Sequence, residues 1–499
     1  MPQICLSLTG KTIAEDLAAL DRYRGLVDIV ELRADLLDSS EAPYLRTFPE
    51  NAGLPCILSV RRLSDGGAFV EGEGVRLVIL AKALAYARQD HRANYAFVEL
   101  EHDFRVPAIE ESCRIFGTRI IRSRHEMEKP PEDLDAAYEQ LKAEAGEIPK
   151  LAFMLRGAGD LAQILTWSSG LARSQERIIV GMGAYGLPSR VLAERLGSKM
   201  AYTSPLSAGL PGAAPGHLDP TSLEGQYRFH EIGRDTAVYA LGGGKTVTAS
   251  KTPQLQNGAF RSAGVDAIYL PFPAEDAGSF IAAIDAAGAR GAAITVPLKE
   301  AILPYLAWKS PEVVDIGACN TIVRNAEGWA GYNTDAMGFE RALIEFIGRG
   351  DLRGLRATIV GAGGAAKAVA LVLARLGAGA LVLNRTISKA RDLAQRYGFA
   401  WGGCDEHSTE RVADHADLIV QASIVGMEGE VQGDPLDWYD FTGREAVFDL
   451  IYRPDKTVML ERAAMAGCRT TNGWATLRYQ AAAQYKLWTG REPPSVFFE

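Results

Sequence analysis

From the N-terminus to about residue 205, short apolar, β-rich runs recur between helix-length segments: QICLSL, IVELRADL, CILSVRR, YAFVELE, RIIRSRH, KLAFML, RIIVGMG and MAYTSP. Strand alternating with helix predicts parallel pairing through right-handed crossovers. Eight such units match a (β/α)8 TIM barrel, whose chemistry sits on strand ends and the loops that follow them. A doubly wound open sheet is the alternative reading of the same pattern. The Gly- and Pro-rich stretch LPGAAPGHLDP then leads to a fresh strand, VYALGGG. Next come DAIYLPF, AAITVPLKE and a hairpin, CNTIVRNAEGWAGYNTD, turned at Asn325 to Gly328. A further α/β unit opens at RATIVGAGGAAKAVALVLARLGAGALVLNRT, an apolar strand running through glycines into an alanine-rich helix and a second strand.

At 499 residues the chain exceeds the roughly 250 to 300 at which one hydrophobic core stops growing, so several domains are expected. Its 47% hydrophobic and 23% charged residues supply each core and argue against disorder. A net charge of -9 with no long basic run argues against nucleic acid or an anionic membrane as the main partner. No apolar run reaches the ~18 residues of a membrane span, and MPQICLSLTG enters a strand at once without the pattern of a signal peptide. The six cysteines are scattered with no CxxC pair, so free thiols in a reducing compartment are expected: the cytoplasm, or a plastid if a targeting segment was removed. No metal-ligand spacing stands out.

The polar residues inside the barrel-like runs carry the candidate chemistry, because an unpaired buried charge is costly. They are Glu31 and Arg33 in VELRADL, Arg61 in SVRRLSDGG, His125 in RSRHEMEK, Lys150 in IPKLAFM and Arg190 in MGAYGLPSR. Singly, a strand-end arginine is usually a surface ion pair and a lone histidine structural; together they converge on one barrel mouth. Lys150, among several arginines, is expected to have a lowered pKa and to attack a ketone as the free amine. The resulting imine acidifies the adjacent C–H, so His125 could take that proton and assist loss of a β-hydroxyl. Arg61 and Arg190 suit a substrate carboxylate.

In the C-terminal half, Gly361, Gly363 and Ala366 form G-x-G-x-x-A between strand and helix, the context a dinucleotide fingerprint requires. The segment Gly361, Ala362, Gly363, Gly364, Ala365 would cradle the pyrophosphate at the helix N-terminus. The second strand ends in Asn384, Arg385 and Thr386, with Lys389 one turn on, where an acidic residue would bind a free ribose 2′-hydroxyl. This predicts NADP over NAD. Lys299 in ITVPLKE and Asp335 in GYNTDAMG could relay a proton to a carbonyl oxygen.

The first half resembles type I 3-dehydroquinate dehydratase in ELRAD, SVRRLSDGG, RSRHEMEK, IPKLAFM, GMGAYGLPSR and AAPGH. The resemblance implies that Lys150 is the Schiff-base lysine and His125 the proton shuttle, with Glu31, Arg33, Arg61 and Arg190 around the substrate. Asp65 stands where the family often has Glu, and AAPGH, ending in His217, replaces SAPGQ. Residues 236 to 499 resemble shikimate dehydrogenase in VTASKTP, GACNTI, FDLIYRP and NGWATLRYQ. That implies a Lys299–Asp335 catalytic pair and substrate contacts from Ser250, Thr252, Thr295, Asn320, Tyr452 and Gln480. Thr252 for Ser, Ala293 for Asn and Gln421 for Asn are departures from the family pattern.

The implied organisation is a dehydratase barrel at 1–225, a linker at 226–235, a substrate-binding α/β domain at 236–345, a Rossmann NADP-binding domain at 346–472, and a C-terminal helix at 473–499 returning to the substrate domain. The implied activity is dehydration of 3-dehydroquinate followed by NADPH-dependent reduction of 3-dehydroshikimate to shikimate. A quinate-preferring second domain and a quinate-responsive sensor are the rival readings; retention of Lys150, His125, Lys299 and Asp335 argues against the sensor.

Overall fold

In the computed structural model, which describes residues 1–84, 93–141 and 143–498, the chain forms two compact units. One comprises Met1–Phe260 with Val265–Ala289, the other Arg261–Gly264 with Arg290–Glu499.

The first unit is built on eight parallel strands: β1 (Gln3–Leu8), β2 (Ile29–Arg33), β3 (Cys56–Ser59), β4 (Phe97–Glu101), β5 (Arg119–Glu126), β6 (Ile148–Met154), β7 (Ile178–Met182) and β8 (Met200–Thr203). Sequential neighbours pair from β1 to β7, and β8 pairs with β1. The ring closes between β7 and β8 through a single parallel bridge, Arg177 to Ser198. There the Ser198 hydroxyl accepts a bond from Ile179 N at 3.1 Å and donates to Met200 O at 3.0 Å. The open-sheet alternative is thereby excluded.

The barrel interior is layered by the two-residue period of its strands. Cys5, Ile29, Ile57, Phe97, Ile121 and Ile148 form an apolar floor. Two residues on, side chains of a strand return to the same face, and there stand Ser7, Glu31, Ser59, Glu99, Ser123 and Lys150, all buried. Apolar floor and polar layer together place the chemistry toward the C-terminal strand ends, as in other barrels of this kind.

The segment expected to be a linker is packed. Tyr227, Phe229 and Ile232 are buried, and His230 lies between Asp28 (2.9 Å) and Glu224 (3.0 Å). It leads into β9 (Ala237–Gly243), which pairs in parallel with β10 (Ala267–Pro273). In this unit the helix Ala158–Gly170 packs on the helix Ala277–Ala286, and Arg195 donates to Thr236 O (2.6 Å) and Ala287 O (2.7 Å).

In the second unit β11 (Ala289–Ile294) runs antiparallel to β13 (Thr321–Asn325), which forms the expected hairpin with β14 (Gly328–Tyr332); β12 (Trp308–Lys309) adds to β14 in parallel. A parallel sheet follows, ordered β17-β16-β15-β18-β19-β20. Its strands are β15 (Arg356–Val360), β16 (Gly379–Leu383), β17 (Ala400–Gly402), β18 (Leu418–Gln421), β19 (Ala446–Asp449) and β20 (Arg469–Thr471). This is the dinucleotide-fold order, whose direction reverses between β15 and β18 and opens a crevice beyond their carboxyl ends. The last helix, Trp474–Thr489, packs along Thr334–Ile347 and reaches β13, where Trp488 Nε1 donates to Ile322 O. The close approach requires Gly338: a Cβ there would lie 2.8 Å from Thr476 O.

Candidate active sites

At the barrel's C-terminal end the strands bring Lys150, His125, Arg61 and Glu31 together around a residue the sequence reading did not single out, Glu99. Its Oε2 accepts from Lys150 Nζ at 2.7 Å, its carboxylate meets Arg61 Nη2 at 3.2 Å, and its Oε1 lies 3.3 Å from His125 Nε2. Burial alone would raise the Glu99 carboxyl, but Lys150, Arg61 and His125 outweigh it and hold it well below the usual range. Lys150 is therefore not left among cations alone, as its sequence neighbourhood implied; it has a carboxylate partner on one side and the Tyr202 ring, with its centroid 4.1 Å from Nζ, on another.

Burial, then the Arg61 guanidinium, push the His125 imidazole well below its ordinary range; Glu99 opposes the shift, and Lys150 and Arg33 add to it. Both ring nitrogens are buried and lack a hydrogen-bond partner among the described residues. His125 is thus a neutral base beside an amine.

The two arginines expected to bind a carboxylate differ. Arg61 Nη2 is bound to Glu31 (3.1 Å) and Glu99. Arg190 donates from Nη2 to Pro215 O at 3.1 Å and leaves Nε and Nη1 buried without partners among the described residues, and burial lowers its pKa to about 10. A buried guanidinium with two unfilled donors is the better anion receptor. Arg33 is committed to Asp35 through two bonds (2.9 and 2.7 Å) and braces Ala213 O at 3.3 Å. Glu31 accepts from Ser7, Ser59 and Arg61. Asp65 stands apart from the lysine cluster: it accepts from Arg62 Nε at 2.8 Å and from Ser64.

His217 lies on the loop 211–217, which is tied to the barrel by Thr9 to Pro211 O, Arg33 to Ala213 O, and Gly183 N and Arg190 to Pro215 O. Its Nδ1 is 2.7 Å from Ser204 Oγ, which also accepts from Ala213 N. Burial and the nearby Arg190, Arg61, Arg33 and Lys150 keep this imidazole well below its ordinary range as well.

In the second unit Lys299 Nζ and Asp335 Oδ2 are 2.5 Å apart. Asp335 lies in the first turn of the helix Thr334–Ile347, which Asn333 caps by accepting from Asp335 N. Asn320 fixes the aspartate through Nδ2 to Oδ1 at 2.7 Å while its Oδ1 accepts from Thr334 N at 2.7 Å. Lys299, Asp335, Tyr452 and Gln480 line one cavity of about 130 Å3, with Ala365, Ala368 and Val369 from the nucleotide helix on its wall. Thr295 is half-buried just ahead of Lys299, and its carbonyl accepts from Leu298 N. Ser250 and Thr252 belong to the first unit, where their hydroxyls are 2.7 Å apart.

The residues at the head of β15 fit a dinucleotide. Gly361 has φ +120, and a Cβ there would sit 3.0 Å from the Ala422 carbonyl, so glycine is required. A Cβ on Gly363 would meet nothing within 4 Å, which leaves room beside the start of the helix Gly364–Arg375, with Ala362 and Ala365 on either side. Buried Gln421 shapes the facing loop by accepting from Ser423 N and donating to Val425 O. After β16, Asn384 Nδ2 donates to Thr386 O at 3.0 Å, and Arg385, Thr386 and Lys389 are exposed. Among the described residues, no group of three or more His, Cys, Asp or Glu could hold a metal, and no helix is long and apolar enough to cross a membrane.

Residues 4–234 match the family model of type I 3-dehydroquinase, 243–322 the shikimate dehydrogenase substrate binding domain, and 344–426 the shikimate / quinate 5-dehydrogenase. A shikimate dehydrogenase (NADP(+)) of Moorella thermoacetica is 42% identical over 264 residues, covering 50% of this chain and 88% of that protein. The bifunctional 3-dehydroquinate dehydratase/shikimate dehydrogenase, chloroplastic, of Arabidopsis thaliana is 29% identical over 491 residues, 94% of this chain and 79% of that one. Among solved structures, shikimate dehydrogenase from Aquifex aeolicus is similar at 31% identity with a TM-score of 0.49, over 54% of this chain and 98% of that one. The chain belongs to the bifunctional type I 3-dehydroquinate dehydratase and shikimate dehydrogenase family, a lyase and an oxidoreductase in one polypeptide.

Proposed function

We propose that residues 1–225 convert 3-dehydroquinate to 3-dehydroshikimate and that residues 236–499 reduce the product to shikimate with NADPH. The observation that carries the first assignment is the Lys150–Glu99–His125 cluster in a buried barrel mouth: an amine hydrogen-bonded to a carboxylate, with a neutral imidazole nitrogen 3.3 Å from that carboxylate. His125, held neutral, takes a proton from Lys150, whose free amine adds to the substrate ketone; the carbinolamine takes that proton back as its hydroxyl leaves as water, giving a protonated imine, while Glu99 compensates the positive charge. His125 removes the adjacent C–H proton and returns it to the departing β-hydroxyl, which leaves as water. Hydrolysis of the imine frees Lys150. Arg190 holds the substrate carboxylate through its unfilled donors.

In the second half, Lys299 and Asp335 hold the proton that the substrate carbonyl oxygen gains on reduction, and Asn320 orients the aspartate. The nucleotide supplies the hydride when bound. Gly361 to Ala365 would receive its pyrophosphate, and Arg385, Thr386 and Lys389 its 2′-phosphate.

The test supplies the purified chain with 3-dehydroquinate and NADPH and follows enone absorbance and NADPH together. Transient enone followed by NADPH oxidation is expected. Enone that accumulates with NADPH untouched would overturn the second assignment and leave the first standing. Lys150→Ala is expected to abolish the enone while sparing shikimate oxidation with NADP+, and Asp335→Asn to do the reverse.

A further inference from the structure

The final helix carries polar residues at four-residue spacing, Thr476, Gln480 and Gln484, followed by Trp488. Residues four apart share a helix face. Toward its C-terminal end this face is satisfied by β13: Gln484 Nε2 donates to Thr321 Oγ1 at 3.1 Å, and Trp488 Nε1 to Ile322 O at 3.2 Å. Toward its N-terminal end, Thr476 and Gln480 line the Lys299–Asp335 cavity instead. Thr476 Oγ1 is shielded from solvent and has no hydrogen-bond partner among the described residues. A threonine in a helix ordinarily returns its hydroxyl to a carbonyl one turn back, and a buried hydroxyl left unpaired is unfavourable. An unfilled hydroxyl on the wall of a reaction cavity is filled most directly by the ligand.

We propose that Thr476 is a substrate-positioning residue of the dehydrogenase, its hydroxyl hydrogen-bonding to an oxygen of the bound ring acid. The proposal rests on the reading of this cavity as the site of reduction. The wall contributed by the nucleotide helix is apolar, Ala365, Ala368 and Val369, and suits the face of a nicotinamide. The polar groups, Thr476 among them, gather on the other elements, and a polyhydroxylated ring is the ligand that needs several of them. A site built to pair a substrate hydroxyl discriminates strongly against ligands that leave it unpaired.

Thr476→Val keeps the shape of the side chain and removes its hydrogen bond; Thr476→Ser keeps the hydroxyl. With the full chain, the KM for shikimate is expected to rise about 5- to 30-fold in Thr476→Val and to return within about threefold of the unmodified value in Thr476→Ser. The KM for NADP+ is expected to stay within about twofold in both, with the rate of 3-dehydroquinate dehydration unchanged, since Thr476 has no part in that site. A rise confined to the KM for NADP+ would overturn the proposal and reassign the hydroxyl to the cofactor. An unchanged KM for shikimate in Thr476→Val, or failure of Thr476→Ser to restore it, would overturn it outright. Absence of shikimate oxidation by the unmodified chain would overturn the reading of the cavity, and the proposal with it.

Discussion

Glu99 Oε2 and Lys150 Nζ lie 2.7 Å apart in the middle of the barrel mouth, and the same carboxylate faces His125 and Arg61. This anion therefore compensates the buried Lys150 and shares Arg61 with Glu31, beside a neutral imidazole. Glu99→Gln preserves shape and removes that charge, leaving Lys150 without its anionic partner. Dehydration is expected to fall by about 100-fold or more while shikimate oxidation is unaffected. The chain is also expected to unfold at a lower temperature, because a buried cation stripped of its partner is strongly unfavourable. Steady-state rates of both reactions on one preparation check this, and undiminished dehydration would remove Glu99 from the mechanism.

Two histidines in this barrel, His125 and His217, are held neutral by burial and by surrounding cations. Below the ordinary histidine pKa of about 6.5 the unfolded chain binds protons at both positions that the folded chain refuses. The unfolded state then binds more protons, so stability rises with pH in that window and is lost as pH falls below about 6.5. His230 acts oppositely: Asp28 and Glu224 outweigh its burial and raise its pKa, so its contribution is present at low pH and lost as pH rises through the folded-state value. Denaturant midpoints from pH 7 to 5 should drop less steeply in His125→Gln than in the unmodified chain, and more steeply in His230→Gln.

The barrel was legible because its interior layering is written at a two-residue period: C-L-S, I-V-E, I-L-S, F-V-E, I-R-S and I-P-K each put an apolar floor residue two before a polar one. The strands and the six candidates Glu31, Arg33, Arg61, His125, Lys150 and Arg190 follow from that pattern and from the motifs that flank it. Glu99 did not stand out because YAFVELE holds two glutamates on alternate positions, and only the fold separates their partners: Glu99 meets Lys150, whereas Glu101 meets Arg76. The same FVE pattern that matches IVE at Glu31 was the available signal. Asp65 was read from its place in a motif, yet a motif does not show that Arg62, its sequence neighbour, would engage it. Thr476 was hidden for a different reason, since an unfilled hydroxyl is a property of its surroundings and not of its spacing.

Closure of the barrel rests on few atoms. Between β7 and β8 the Ser198 hydroxyl fills a gap in the ladder, accepting from Ile179 N and donating to Met200 O. Ser198→Ala leaves a buried N–H and a buried carbonyl short of a partner. Its expected cost is about 1–3 kcal/mol, read as a lower urea midpoint, with wild-type kinetics at low temperature in the dehydrogenase. A midpoint equal to that of the unmodified chain would show that backbone pairing alone closes the ring.

Cofactor choice should reside in the turn after β16. Arg385, Thr386 and Lys389 are exposed there, and no acidic side chain ends the strand where a free ribose hydroxyl would be bound. A guanidinium pairs with a phosphate through two bonds, and its contribution at an exposed site is screened by salt. Arg385→Ala is therefore expected to raise the KM for NADP+ by about tenfold or more and to leave that for NAD+ within about twofold. The increase should shrink as ionic strength is raised, because the unmodified chain itself loses the screened attraction. Arg385→Asp should go further, repelling the 2′-phosphate while offering an acceptor to the ribose hydroxyl, so that the ratio of kcat/KM values moves toward NAD+. Measuring both cofactors at two salt concentrations separates the charge from the shape of the turn. A KM for NADP+ that is indifferent to Arg385 would shift the recognition to Thr386 and Lys389, and equal losses for both cofactors would mean that the arginine supports the turn instead of reading the phosphate.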